Sequence, residues 1–149
     1  MKKLFPITAL AIILMTKPAL AQTIENVTKD ENKFIYSNSI KLFLGDSIYL
    51  YPSKTEIKLT DFTLRQKLND SSNIISIKFT YEKFGMNNAS LLKVTNPFSK
   101  QLIYKAKIRY NSHGRYSETS IMPVYPKIFG MEMWQNRIES IILYDFELK

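Results

Sequence analysis

From Phe34 to the C-terminus the apolar side chains skip alternate positions, and this period of two restricts the chain more than any other feature. A strand points successive side chains to opposite faces, so the pattern describes ribbons with one buried side and one wet side. Ile40, Leu42 and Leu44 share a face, Ile48 and Leu50 follow, then Ile57 and Leu59. Ile75, Ile77, Phe79 and Tyr81 alternate with Ser76, Lys78 and Thr80. Leu92 and Val94 come next, and Leu102, Tyr104, Ala106, Ile108 and Tyr110 make the longest stripe. Ile142, Tyr144, Phe146 and Leu148 close the chain.

Turn chemistry punctuates the stripes at Gly45-Asp46, Asn69 to Asn73, Gly85 to Asn88, Asn96-Pro97 and Asn111 to Gly114. Gly130 to Arg137 reads as a helical turn, and no window sustains a 3.6-residue period. The expectation is an all-β fold: an antiparallel two-sheet sandwich, immunoglobulin-like, of seven or eight strands. A closed outer-membrane barrel carries the same alternation. Lys105, Lys107, Arg109 and the terminal Lys149 count against it, because lipid-facing strands avoid such charges.

The start of the chain has a different character. Met1-Lys2-Lys3 is a basic head, Leu4 to Met15 is almost wholly apolar, and Ala19-Leu20-Ala21 offers the small residues a signal peptidase reads. Residues 1–21 are therefore expected to be a secretory signal cleaved after Ala21, leaving residues 22–149 as one periplasmic or secreted domain. The apolar run is shorter than the roughly 20 residues that cross a bilayer, so no membrane span is expected in the mature chain. Loss of Lys2, Lys3 and Lys17 takes the net charge from +8 to +5. Export disfavours nucleic acid as the partner of this basic chain. The absence of cysteine rules out a lipid-attached cysteine and requires the core to hold without disulfides.

With Pro97 to Gln101 as a loop, a hairpin register sets Asn96 against Leu102, Val94 against Tyr104 and Leu92 against Ala106. All the apolar members then share one side, and Lys93, Lys105, Lys107 and Arg109 form a basic cluster on the other. Such a face would suit an anionic envelope polymer or an acidic protein.

Two further groups are candidates for contact. His113 and Arg115 lie in a loop tip, where function concentrates. Met131, Met133 and Trp134, with Phe129 nearby, form an adaptable apolar patch or a plug for one end of the sandwich. Gly45-Asp46-Ser47-Ile48 resembles the nucleophile block of GDSL-type esterases, but Tyr110 stands where that family's aspartate would precede the sole histidine, His113. A serine without a base is a poor nucleophile. Asp145 and Glu147 are the one carboxylate pair whose spacing shares a strand face. No catalytic residue, cofactor or metal site is assigned, since one imidazole and no thiol cannot supply a zinc set and four scattered glycines cannot cradle phosphate.

Residues 92–148 resemble uncharacterised exported bacterial proteins with immunoglobulin-like sandwiches. The likeness rests on Leu92-x-Val94-x-Asn96-Pro97, Leu102-x-Tyr104-x-Ala106, Thr119 to Val124, Glu132-x-Trp134 and Ile141 to Phe146. It implies a fold and no activity. The functional expectation is a non-enzymatic binding or interaction module of the bacterial envelope. An immunity-type inhibitor of a cell-wall-degrading toxin and a small hydrolase with a site assembled only in three dimensions are the alternatives.

Overall fold

A computed structural model describes residues 34–36, 38–52, 57–60, 62–65 and 73–149. The leader read at residues 1–21 and the turn at 69–72 lie outside the described residues. Ten strands are present among them: β1 (Phe34–Tyr36), β2 (Ser39–Phe43), β3 (Ser47–Pro52), β4 (Phe62–Arg65), β5 (Ile75–Phe84), β6 (Asn87–Thr95), β7 (Leu102–Arg109), β8 (Ser117–Thr119), β9 (Phe129–Trp134) and β10 (Ser140–Leu148). The number exceeds the expected seven or eight because β1, β4 and β8 are short edge strands with too few residues to show a stripe.

The strands form two open antiparallel sheets, ordered β1-β2-β10-β7-β8 and β4-β3-β5-β6-β9. Both have free edges, so no barrel closes. One core unites the layers: Ile40, Leu42, Leu102, Tyr104, Ala106, Ile108, Ile141 and Leu143 from the first, and Ile48, Leu50, Ile75, Ile77, Phe79, Leu92 and Val94 from the second. Face-to-face antiparallel layers make it a β-sandwich. In the first sheet the C-terminal β10 lies between β2 and β7. Among the described residues no helix is long and apolar enough to cross a membrane.

The joint at Asn96-Pro97 differs from the expected hairpin. β6 pairs with β5 and β9, whereas β7 pairs with β10 and β8 in the other layer. Residues 96–101 are an arch between layers, and the buried Asn96 shapes it. Its side-chain Nδ2 donates to the carbonyls of Lys100 at 2.8 Å, Val124 at 2.9 Å and Tyr125 at 3.2 Å, while its Oδ1 accepts the Phe98 N–H at 2.9 Å. Strands joined by an arch and strands joined by a hairpin both turn apolar faces to a shared core, so alternation cannot separate them.

The last stripe also shifts. Ile141, Leu143, Phe146 and Leu148 face inward, whereas Ile142 and Tyr144 are only half-buried. A β-bulge between Tyr144 and Glu147 causes the change of parity, with Asp145 in the left-handed region at φ 53°. One extra residue opposite β7 carries Phe146 into the core, where its ring lies 5.5 Å from Tyr104 and 5.1 Å from Phe62.

Residues 129–134 are a strand, not the helical turn expected at Gly130 to Arg137. The usual polarity is reversed in β9: Phe129, Met131 and Met133 point outward and are 53%, 42% and 46% exposed. That reversal hides the strand from pattern reading.

Candidate functional site

β9 is the last strand of its sheet, so one side of its backbone faces away from β6. Two contacts hold its apolar row outward. Gly130 faces inward so close to Val124 that an added Cβ would stand 2.7 Å from the Val124 Cγ2. Trp134 packs against the core and its Nε1–H donates to the Thr119 hydroxyl at 3.3 Å. Opposite Trp134 lies the buried Ser90, whose Oγ donates to the Asn136 carbonyl at 3.0 Å and accepts the Ile138 N–H at 2.8 Å. A slip of one residue would bury the methionines only by driving Trp134 into water and a side chain into Val124.

A cleft of about 270 Å³ runs between β9 and the extended segment 122–125. Met122, Tyr125 and Ile128 wall one side, and Phe129, Met131 and Glu132 the other. The Glu132 carboxylate accepts the Met122 N–H at 2.7 Å, which ties the segment to β9. Asn96 holds the carbonyls of Val124 and Tyr125, and Val124 bridges to Leu102 of β7. Lys127 adopts φ 62° and donates its Nζ to the Pro97 carbonyl. These ties set both cleft walls before anything occupies them. Burial pushes the Tyr104 phenol well above its ordinary pKa, and the nearby Glu132 charge adds to the effect.

The basic residues separate. Lys105, Lys107 and Arg109 lie together on the outer face of one layer, whereas Lys93 lies on the outer face of the other, opposite Met131. This corrects the four-residue cluster, and the arch at Asn96 is the reason. Each of the three also stands near a carboxylate: Lys105–Asp145 at 3.0 Å, Lys107–Glu118 at 3.8 Å and Arg109–Glu139 at 3.8 Å. Tyr144 lies under Lys107 at 5.2 Å and donates its hydroxyl to Glu118 at 3.1 Å, while Tyr116 lies against Arg109 at 5.0 Å. The hydrogen bond to Asp145 holds the Lys105 ammonium above its usual pKa. Alternating charges screen one another, so this face presents no strong positive field.

His113 and Arg115 are exposed in the loop joining β7 to β8, where the His113 Nδ1 lies 3.2 Å from the Ser112 hydroxyl. Ser47 opens β3 in the other sheet. Asp145, which belongs to the bulge, pairs with Lys105, and Glu147 beyond it pairs with Lys149 at 3.8 Å. Among the described residues no three His, Cys, Asp or Glu side chains cluster as metal ligands.

The fold and its edge thus define an open β-sandwich with a preset apolar cleft. Comparison with protein-family models, curated proteins and solved structures finds no match to the chain. Of the apolar patch expected at Met131, Met133 and Trp134, Met131 lines the cleft, Met133 continues the exposed outer row of β9, and Trp134 packs inward against the core. Met122, Tyr125 and Ile128 complete the cleft, and no spacing in the sequence marks them, since each sits on a wet face and gains meaning only from its neighbours.

Proposed function

We propose that the chain is an exported, non-enzymatic binding module of the bacterial envelope that holds a protein partner along the free edge of β9. The observation that carries the reading is the outward row Phe129, Met131 and Met133 beside the cleft. Edge strands of soluble proteins are normally blunted by charge or proline, and exposed apolar rows mark contact surfaces. Methionine and aromatic side chains suit such contacts, since they bury large area and adapt to the partner's shape. Rigid walls lessen the ordering cost of association.

The test is site-directed photo-crosslinking in the native bacterium. A photoreactive side chain at position 131 is expected to yield a discrete adduct. The same group at Met86, the exposed tip of the β5–β6 hairpin, should not. The adduct should disappear when Phe129 and Met133 are both changed to Glu. Mass spectrometry of the mature protein is expected to show Gln22 as its first residue. Equal labelling at both sites, or none at 131, would remove the reading.

A further inference from the structure

Resting on that reading, we infer that the occupant of the β9 edge is an extended protein segment in which apolar and acidic side chains alternate, added to the sheet as a further strand. The charge on the outer face of this layer supplies the chemistry. Lys78 of β5 and Lys93 of β6 stand directly opposite each other, both exposed. Among the described residues neither has a carboxylate within ion-pairing reach. Lys93 instead lies over the Phe129 ring at 4.1 Å. Directly opposed like charges disfavour a sheet, and the cations of β7 in the other layer, Lys105, Lys107 and Arg109, by contrast each have a carboxylate beside them. The lysine pair is a complement awaiting negative charge.

Geometry places that charge on an added strand. The row across the sheet runs Lys78, Lys93, Met131. A strand laid against β9 would put its next outward side chain about 5 Å beyond Met131 and about 10 Å from Lys93 at the backbone. A lysine and a glutamate extended toward each other span that gap above the Met131 side chain. The same strand's alternate residues point into the cleft between β9 and segment 122–125, whose lining is mainly apolar. Inward apolar and outward acidic residues therefore satisfy both surfaces. A strand is favoured over an anionic lipid surface because the β9 edge carries a row of backbone donors and acceptors that only another backbone can match.

The test is titration of isotope-labelled protein, residues 22–149, with a blocked heptapeptide of sequence Ile-Glu-Val-Glu-Ile-Glu-Val, its lysine counterpart Ile-Lys-Val-Lys-Ile-Lys-Val, and vesicles of phosphatidylglycerol and phosphatidylcholine. The acidic peptide is expected to shift the amide resonances of Phe129 to Trp134. Changing Lys78 and Lys93 together to Gln should weaken it at least about tenfold, as should replacing it by the lysine peptide. Equal binding of the two peptides, preference for vesicles, or a dimer of the chain abolished by Met131→Lys would overturn the inference. If neither peptide binds while the crosslink at position 131 persists, the partner's chemistry is wrong and the binding-module reading stands. Loss of that crosslink fails the reading itself.

Discussion

The side-chain amide of Asn96 donates to the Val124 carbonyl at 2.9 Å, joining the arch between the layers to the wall of the cleft. One buried residue thus decides where the chain changes sheets and where segment 122–125 rests. Asn96→Leu keeps the size and removes the polar atoms, leaving the Phe98 N–H and the Lys100 carbonyl without their partner. A loss of about 2–3 kcal/mol is expected from urea unfolding, because buried polar groups without partners forfeit their hydration. The cleft resonances should broaden at the same time.

Gly130 and Val124 test how the outward row of β9 is set. Gly130→Ala brings a methyl group against the Val124 Cγ2, and a cost of about 1–3 kcal/mol is expected for overpacking. Val124→Ala alone should cost a similar amount through the space it opens in the core. The double variant should be more stable than the sum of the two losses predicts, measured as the coupling in a double-mutant cycle.

The alternation exposed the sandwich because buried rows such as Ile75-Ile77-Phe79 and Leu102-Tyr104-Ala106-Ile108 answer to water alone, whatever their neighbours. Pairing was not legible in the same way. Lys93 and Lys105 look like companions on a hairpin, yet Asn96 sends them to opposite faces, and nothing in the spacing of Val94 and Leu102 reveals it. β9 was obscured for another reason. Its apolar residues face outward, and a reading that assumes apolar means buried cannot place them.

Arg109 and Glu139 approach to 3.8 Å, yet the Arg109 Nε and the Glu139 Oε2 are both shielded from water without a hydrogen bond. The Glu139 N–H donates to the Arg109 carbonyl at 2.9 Å, but between the side chains only charge attraction acts, an arrangement that seldom repays its desolvation. Arg109→Met alone should cost about 1–2 kcal/mol by stranding the carboxylate, whereas Arg109→Met with Glu139→Leu should be neutral or stabilising. Thermal unfolding of the two variants checks both signs. A double variant less stable than Arg109→Met would contradict this account.

Tyr104 makes stability depend on alkaline pH. Burial raises its phenol above the ordinary value of 10.0, so the folded protein keeps the proton where the unfolded chain gives it up. Its contribution is whole below about pH 10 and declines as pH climbs further, since the unfolded state then binds fewer protons than the folded one. Tyr104→Phe should flatten the fall in unfolding free energy from urea titrations above about pH 10, by up to about 1.4 kcal/mol for each pH unit. Parallel curves for the two proteins would refute the assignment.

The bulge in β10 offers a test of register by deletion. Tyr144 pairs with Lys105 and Glu147 with Ile103, so Asp145 and Phe146 together stand opposite Tyr104. Removing Asp145 leaves Ile141, Leu143, Phe146 and Leu148 at uninterrupted two-residue spacing, all facing inward. It also removes a non-glycine residue from φ 53°, a conformation that costs on the order of 1 kcal/mol. The lost Lys105–Asp145 pair is exposed and offsets little of that gain. Deletion of Asp145 should therefore give a cooperatively folding protein with Phe146 still beside Phe62. Deletion of Ile142, two residues past the start of the same strand, breaks the alternation before the bulge and should leave no folded protein. Proton spectra of the two deletions, read for dispersed methyl signals, distinguish a surplus residue from a required one. If the Asp145 deletion also unfolds, the bulge is needed to bend β10 over the core rather than merely to correct its parity.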